Sequence, residues 1–182
     1  VYLRGESKEE LPVGIAVSYE LDGKNITADE LAGKSGHVKI RFSYENRTSA
    51  TVTVNGAKET VHVPFAMLTG VLLDGDVFSN VSVSGGKLVN DGSRFAVVGV
   101  AFPGLEEDLQ LDTEKYTLPQ TVEIEADTTS FALGNTFTLA TSSVFSALDD
   151  EKFAEADQLK ASLAQLNDAM KALLDGSSAL YD

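Results

Sequence analysis

Apolar and polar residues alternate in short runs along most of this chain. Val13, Ile15, Val17, Tyr19 and Leu21 share one phase, with Ser18 and Glu20 on the other and Pro12 at the start. A period of two places successive side chains on opposite faces of an extended backbone, so this run predicts a half-buried strand. Val38, Ile40, Phe42 and Tyr44 alternate with Lys39, Arg41 and Ser43 and give the clearest strand signal in the chain. Further strands are expected at Val52 and Val54, at Val61 and Val63 around His62, and at Val81 and Val83. More are expected at Lys87 to Val89, at Val122 to Ala126, and at Phe137 and Leu139. Met67 to Leu73 and Arg94 to Phe102 are apolar without alternation, which predicts strands covered on both faces.

Turn residues punctuate these runs. Asp22-Gly23, Asp74-Gly75-Asp76, Gly85-Gly86, Asn90-Asp91-Gly92 and Gly134-Asn135 combine glycine, which accepts positive φ, with side chains that bond their own backbone. Asn55-Gly56 is a strong hairpin signal. Pro64 lacks an N–H and limits its strand to an edge, or ends it. Thr27-Ala28-Asp29-Glu30 has the form of a capping box, and Gly33 closes the short helix after Leu31. Glu106 to Lys115 reads as an acidic connection. Turn signals spaced about 8–12 residues apart, with no helix-length pattern between strands, predict a β-sandwich or barrel and disfavour a parallel α/β fold.

After Leu148 the period lengthens. Leu159, Leu166, Leu173 and Leu180 recur at intervals of seven, with Ser162, Ala169 and Gly176 three residues after the first three. Leu163 and Met170 lie beside this seam, Asp149 or Asp150 can cap a helix, and good helix formers dominate from Glu151 onward. Two readings stand. A long coiled-coil or helical-hairpin stalk begins here, or a single amphipathic helix docks on its own sandwich. The first is favoured. The expected fold is therefore mainly β: a β-sandwich, immunoglobulin-like in the loose sense, over residues 1–148. A C-terminal α-helix beginning a heptad-repeat stalk is expected over residues 149–182.

Charge narrows the function classes. A net charge of −14 argues against a nucleic-acid partner and against an anionic membrane surface, both of which want a basic face. The chain has no cysteine, so it carries no disulfide framework, thiolate metal site or cysteine nucleophile. Its longest apolar stretch, Phe65 to Leu73, is interrupted by Thr69 and Gly70 and falls well short of the roughly 20 residues a spanning helix needs. Val1 stands where an initiator Met would, so a piece of a longer chain is expected.

Candidate chemistry is sparse. Asp74, Asp76, Asn80 and Asp91 offer oxygen ligands near turns and are weak candidates for calcium, without the ligand spacing of a calcium loop. No other cofactor is indicated. His37 and His62 are the only histidines, and the sequence marks no partners for a His-based metal site or triad. Glu106, Glu107 and Asp108 supply adjacent acids of the kind glycoside hydrolysis uses in separated pairs. The chain has no Trp to serve as a sugar-stacking platform, and most of its phenylalanines fall at core phase. Asn25, Asn46 and Asn80 each open a glycosylation sequon, which marks exposed turns.

The Leu-x-x-small heptads, clearest at Leu173-Leu174-Asp175-Gly176 and Leu180-Tyr181-Asp182, resemble the Leu-x-x-Gly repeats of exported Gram-positive proteins. Such repeats occur in membrane proteins of the phage-infection-protein type and in related surface proteins. Leu31 to Gly36, Val63-Pro64-Phe65 and Asn90 to Arg94 resemble segments of the β-rich ectodomain beside those repeats. The resemblance implies an extracytoplasmic, cell-surface or membrane-tethered location, with the tether in flanking sequence, and it brings no catalytic residues with it. The expected role is a non-enzymatic structural or interaction module, adhesion among its uses. Leu159, Leu166, Leu173 and Leu180 would form the assembly seam, for a protein partner or for self-association. The alternatives are a ligand-binding module for glycan or calcium, or, further off, a hydrolase with a dispersed site.

Overall fold

The computed structural model describes residues 10–54, 57–109 and 117–143. Along these residues run β1 (Val13–Leu21), β2 (Lys24–Ile26), α1 (Ala28–Leu31), β3 (Gly36–Asn46), β4 (Ser49–Val54), β5 (Ala57–His62) and β6 (Ala66–Asp74). They continue with β7 (Phe78–Ser84), β8 (Gly86–Asn90), β9 (Arg94–Ala101), α2 (Leu105–Asp108), β10 (Thr121–Thr128) and β11 (Thr136–Thr141). Every strand pairing is antiparallel. Five strands form one sheet in the order β2-β1-β3-β10-β7. Four form a second in the order β11-β6-β9-β8, and β4 and β5 make a separate two-stranded hairpin. The chain is mainly β, as the alternation predicts.

The two large sheets share one core. Val38, Ile40 and Phe42 of β3 and Val122, Ile124 and Ala126 of β10 are buried with Met67, Val71 and Leu73 of β6 and Val97 and Ala101 of β9. These are one alternation phase of each strand, so period-two patterning translates directly into an inner face. The sheets approach closely at Gly99, where a Cβ would meet the Val122 side chain. The polar cluster that enters the core at Thr69 is paired. The Tyr44 hydroxyl bonds the Thr69 hydroxyl, which lies 3.0 Å from that of Thr138. Burial holds the Tyr44 phenol above its ordinary pKa.

Local signals behave as their chemistry requires. Thr27 caps α1: its hydroxyl accepts from the Glu30 N–H at 3.3 Å, and Glu30 reaches back to the Thr27 N–H. Asp22 and Gly23 both take positive φ in the turn between β1 and β2. Past α1, the Gly33 N–H donates to the Phe131 carbonyl, while the Phe131 N–H donates to that of Lys34. The Phe131 ring meets Tyr19 and Phe78 edge-on, with centroids 6.0 and 5.8 Å away, and closes that end of the core.

Three expectations need correction. The strand from Met67 to Leu73 is not covered on both faces along its length: Leu72 is 54% exposed. Phe137 does not sit in the core; it is 65% exposed on β11. The acidic connection after Pro103 opens with a single helical turn, α2, whose Leu105 is buried. One cause underlies all three. The four-stranded sheet has a second apolar layer on its outer side, where Ala66, Val100, Phe102 and Leu105 cluster with Leu68, Leu109 and Leu118. That layer covers only part of the outer face. The heptad segment 149–182 lies outside the described residues, as do 1–9, 55–56 and 110–116.

Candidate functional site: two unlike outer faces

The outer face of the five-stranded sheet is polar because β3 and β10 meet in a register that opposes their charges. Arg41 faces Glu123, Lys39 faces Glu125 and His37 faces Asp127. Lys39 Nζ lies 2.8 Å from Glu125 and 3.9 Å from Glu123. Arg41 Nε lies 2.9 Å from Glu123, and His37 Nδ1 lies 2.8 Å from Asp127. Asn80 of β7 donates to the other oxygen of Asp127 at 2.7 Å. Cross-strand pairs of opposite charge stabilise a sheet modestly and fix its register. The hydrogen bond from Lys39 holds Glu125 below the usual carboxylate range and raises Lys39 in turn. Asp127 is lowered first by Asn80 and then by His37. A shallow cleft of about 170 Å³ lies between β7 and β10, lined by Ser82, Val83, Ser84, Glu123 and Glu125. Both of its carboxylates already serve the ladder.

The sequence-derived calcium candidates do not converge. Asp74 turns the chain after β6 by accepting from the Asp76 N–H at 3.0 Å. Asp91 accepts from the N–H and hydroxyl of Ser93 and from the Arg94 N–H, and the Ser93 and Arg94 amides hold it below its ordinary pKa. These two turns touch through the Gly75 N–H and the Ser93 carbonyl, 2.8 Å apart. Asn80 is elsewhere, on the charge ladder. Among the described residues no three His, Cys, Asp or Glu side chains are placed to share a metal ion. The acidic run is likewise divided. Glu106 accepts from the Leu118 N–H at 3.0 Å, Glu107 is exposed, and Asp108 turns to the β4–β5 hairpin. There Asp108 accepts the His62 N–H at 2.9 Å and meets the His62 ring nitrogen at 3.1 Å. Asn46 donates to the Val63 carbonyl at 2.8 Å close by, so two side chains fasten the hairpin's base to the body.

The outer face of the four-stranded sheet is the opposite in character. β11 pairs with β6 so that Phe137 lies over Gly70 and Leu139 beside Leu68. β9 continues the face with Ala96 beside Leu72 and Val98 beside Gly70. Phe137, Leu139 and Leu72 are all more than half exposed. The charges on this face stand at its margins, with Lys87 on the edge strand β8 and the Asp74–Arg94 pair at one end. A contiguous exposed apolar face of this kind marks a contact surface.

No family model, curated protein or solved structure matches this chain. Sequence reasoning missed both faces. A signal for the ladder was present: Lys39 and Arg41 sit two apart on one strand, and Glu123, Glu125 and Asp127 two apart on another. The signal for the apolar face was Phe137 and Leu139 in a six-residue strand, Thr136–Thr141, that bears no charge.

Proposed function

We propose that this chain is a non-enzymatic, extracytoplasmic structural and interaction module of a Gram-positive cell-envelope protein. In this reading its two sheets are a loose immunoglobulin-like sandwich, set at the base of a heptad-repeat stalk. The observation that carries the reading is the apolar outer face of the four-stranded sheet. It is bordered by β11, the strand that leads into the heptad segment. A chain of net charge −14 that keeps one broad face almost free of charge has reserved that face for protein contact. The resemblance of the heptads to exported Leu-x-x-Gly repeats supports the location. The leucine seam Leu159, Leu166, Leu173 and Leu180 supplies a complementary apolar element.

Limited proteolysis of intact source cells tests the location. Release of peptides from the exposed β8–β9 turn around Asp91, with cytoplasmic markers untouched, is the expected result. Complete protection of an abundant, intact chain would rule out the extracytoplasmic reading.

A further inference from the structure

Part of the outer face of the four-stranded sheet is already roofed. α2 and the segment at Leu118 cover Ala66, Val100 and Phe102, and the open part begins where that cover stops. We propose that the leucine seam of residues 149–182 packs, as a helix, across this open part in the same chain, with Leu72, Phe137 and Leu139 beneath it. The proposal rests on the reading of that face as a contact surface and names its occupant. It makes the sheet the seat of the stalk's first turns, so that head and stalk form one joint.

Four observations point to this occupant. First, the chain leaves the sheet at its border: β11 is an edge strand of this face, and residue 144 follows two residues after it ends. Residues 144–148, if extended, reach about 17 Å. The four strands are spread over only about 14 Å, so the tether reaches across them, and because β11 ends beside Ala66 the helix would run back along the strands toward Leu72. Second, the shape fits. Leu159, Leu163, Leu166, Met170 and Leu173 recur at i, i+4, i+7, i+11 and i+14, a stripe wide enough to lie on a flat sheet. As a helix, Leu159 to Leu173 spans about 21 Å, close to the roughly 20 Å of a six-residue strand. Third, Ser162 and Ala169 flank the seam and let a helix backbone settle close to the sheet. Fourth, charge favours an occupant in the same chain. A second copy would bring another −14 to the contact, whereas an attached segment arrives without that encounter and at high effective concentration.

The absence of cysteine makes the test clean, because any introduced pair is unique. In the full chain, Leu72→Cys is combined with Leu166→Cys and, separately, with Leu173→Cys. Ser18→Cys with Leu166→Cys is the control, since Ser18 lies opposite Arg41 on the charged face. Each is treated with a short bis-maleimide at low protein concentration and read by denaturing gel and mass spectrometry. The expected result is an intramolecular link in at least one Leu72 pair, at a yield about tenfold above the control. A link between two copies, or none at all, would overturn the proposal. Single-thiol labelling separates this failure from failure of the parent reading. Leu72→Cys labelled much more slowly than Ser18→Cys, without a link, would mean that something else covers the face. Equal, fast labelling without a link would remove the contact reading as well.

Discussion

Gly99 and Gly70 offer the sharpest test of how the two sheets are held, because they look alike and should behave differently. A methyl group at Gly70 would fall 2.0 Å from Phe137 Cε1, and one at Gly99 would fall 2.3 Å from Val122 Cγ1. By distance alone Gly70→Ala is the worse clash. The obstacles differ in their freedom to move. Phe137 is 65% exposed among the described residues, on an edge strand, so in a variant cut after residue 148, where the heptad segment cannot cover it, the ring can swing away about its own torsions. Val122 is fully buried on a central strand, and its Cβ would itself lie 2.9 Å from the new methyl. No rotamer moves a Cβ, so the sheets must part or β10 must shift. Overpacking of this kind costs about 1–3 kcal/mol. Replacing glycine returns about 0.4–1 kcal/mol through the unfolded chain. Gly99→Ala should therefore lose about 1.3 kcal/mol, while Gly70→Ala in the cut chain should stay within about 0.5 kcal/mol of its parent. Equilibrium urea unfolding reads this directly. With a slope near 2 kcal/mol/M, the midpoint of Gly99→Ala drops by about 0.7 M. Val122→Ala in the Gly99→Ala background should recover part of the loss, with a coupling of about 1 kcal/mol. A Gly99→Ala midpoint equal to the parent's, or a larger loss at Gly70, would refute the argument that the free movement of the neighbour sets the cost.

Other expectations are simpler to state. Asp127 has its pKa lowered by Asn80 and His37, so its contribution is present at neutral pH and fades as pH falls below about 3.9, the ordinary carboxylate value. The gap in urea midpoint between the parent and Asp127→Asn should be open at about pH 5 and close in stronger acid; a gap undiminished at low pH would contradict the assignment. Asp108→Ala removes the acceptor of the His62 N–H. Amide exchange in the β4–β5 hairpin should then quicken by about tenfold, with β3 and β6 unchanged; equal protection in both variants would show that the latch is idle. The Thr128 hydroxyl is buried without a partner. Thr128→Val should raise stability by about 1 kcal/mol on thermal melting, and a loss would mean that the hydroxyl has a role the geometry does not show.

Much of the fold was legible in the sequence because its causes are local. The capping box at Thr27, the turn at Asp22-Gly23 and the alternation of β3 each act within a few residues and appear where they were read. What failed to show was decided at a distance. Period two says that Leu72 and Phe137 share faces with other apolar residues, but not whether a second layer arrives to cover them. That depends on α2 and Leu118, which fold back over Ala66 and Val100 and stop short of Leu72. The charge ladder was hidden for the same reason. Its two halves lie far apart in the chain, and only the pairing of β3 with β10 brings Lys39 to Glu125. The calcium candidates were legible as turns, and Asp74 and Asp91 each turn one carboxylate oxygen to turn amides. Asn80 could not be placed from sequence at all, since its partner Asp127 comes from another strand.

The strand order β2-β1-β3-β10-β7 sets the timing of assembly. β3 ends at Asn46 and its central partner begins at Thr121, so a growing chain holds β3 with one flank unpaired until the second half has been made. At ordinary synthesis rates that interval is roughly 4–15 s. The other sheet waits as well, because β6 ends at Asp74 and its edge partner β11 begins at Thr136. Neither half of the chain carries either large sheet complete, and loop closure over such separations makes folding slow. The chain therefore stays open until nearly all of it is present and then closes as one event. A cut between Asn46 and Thr121 would leave β3 and β10, neighbours at the centre of one sheet, on different pieces.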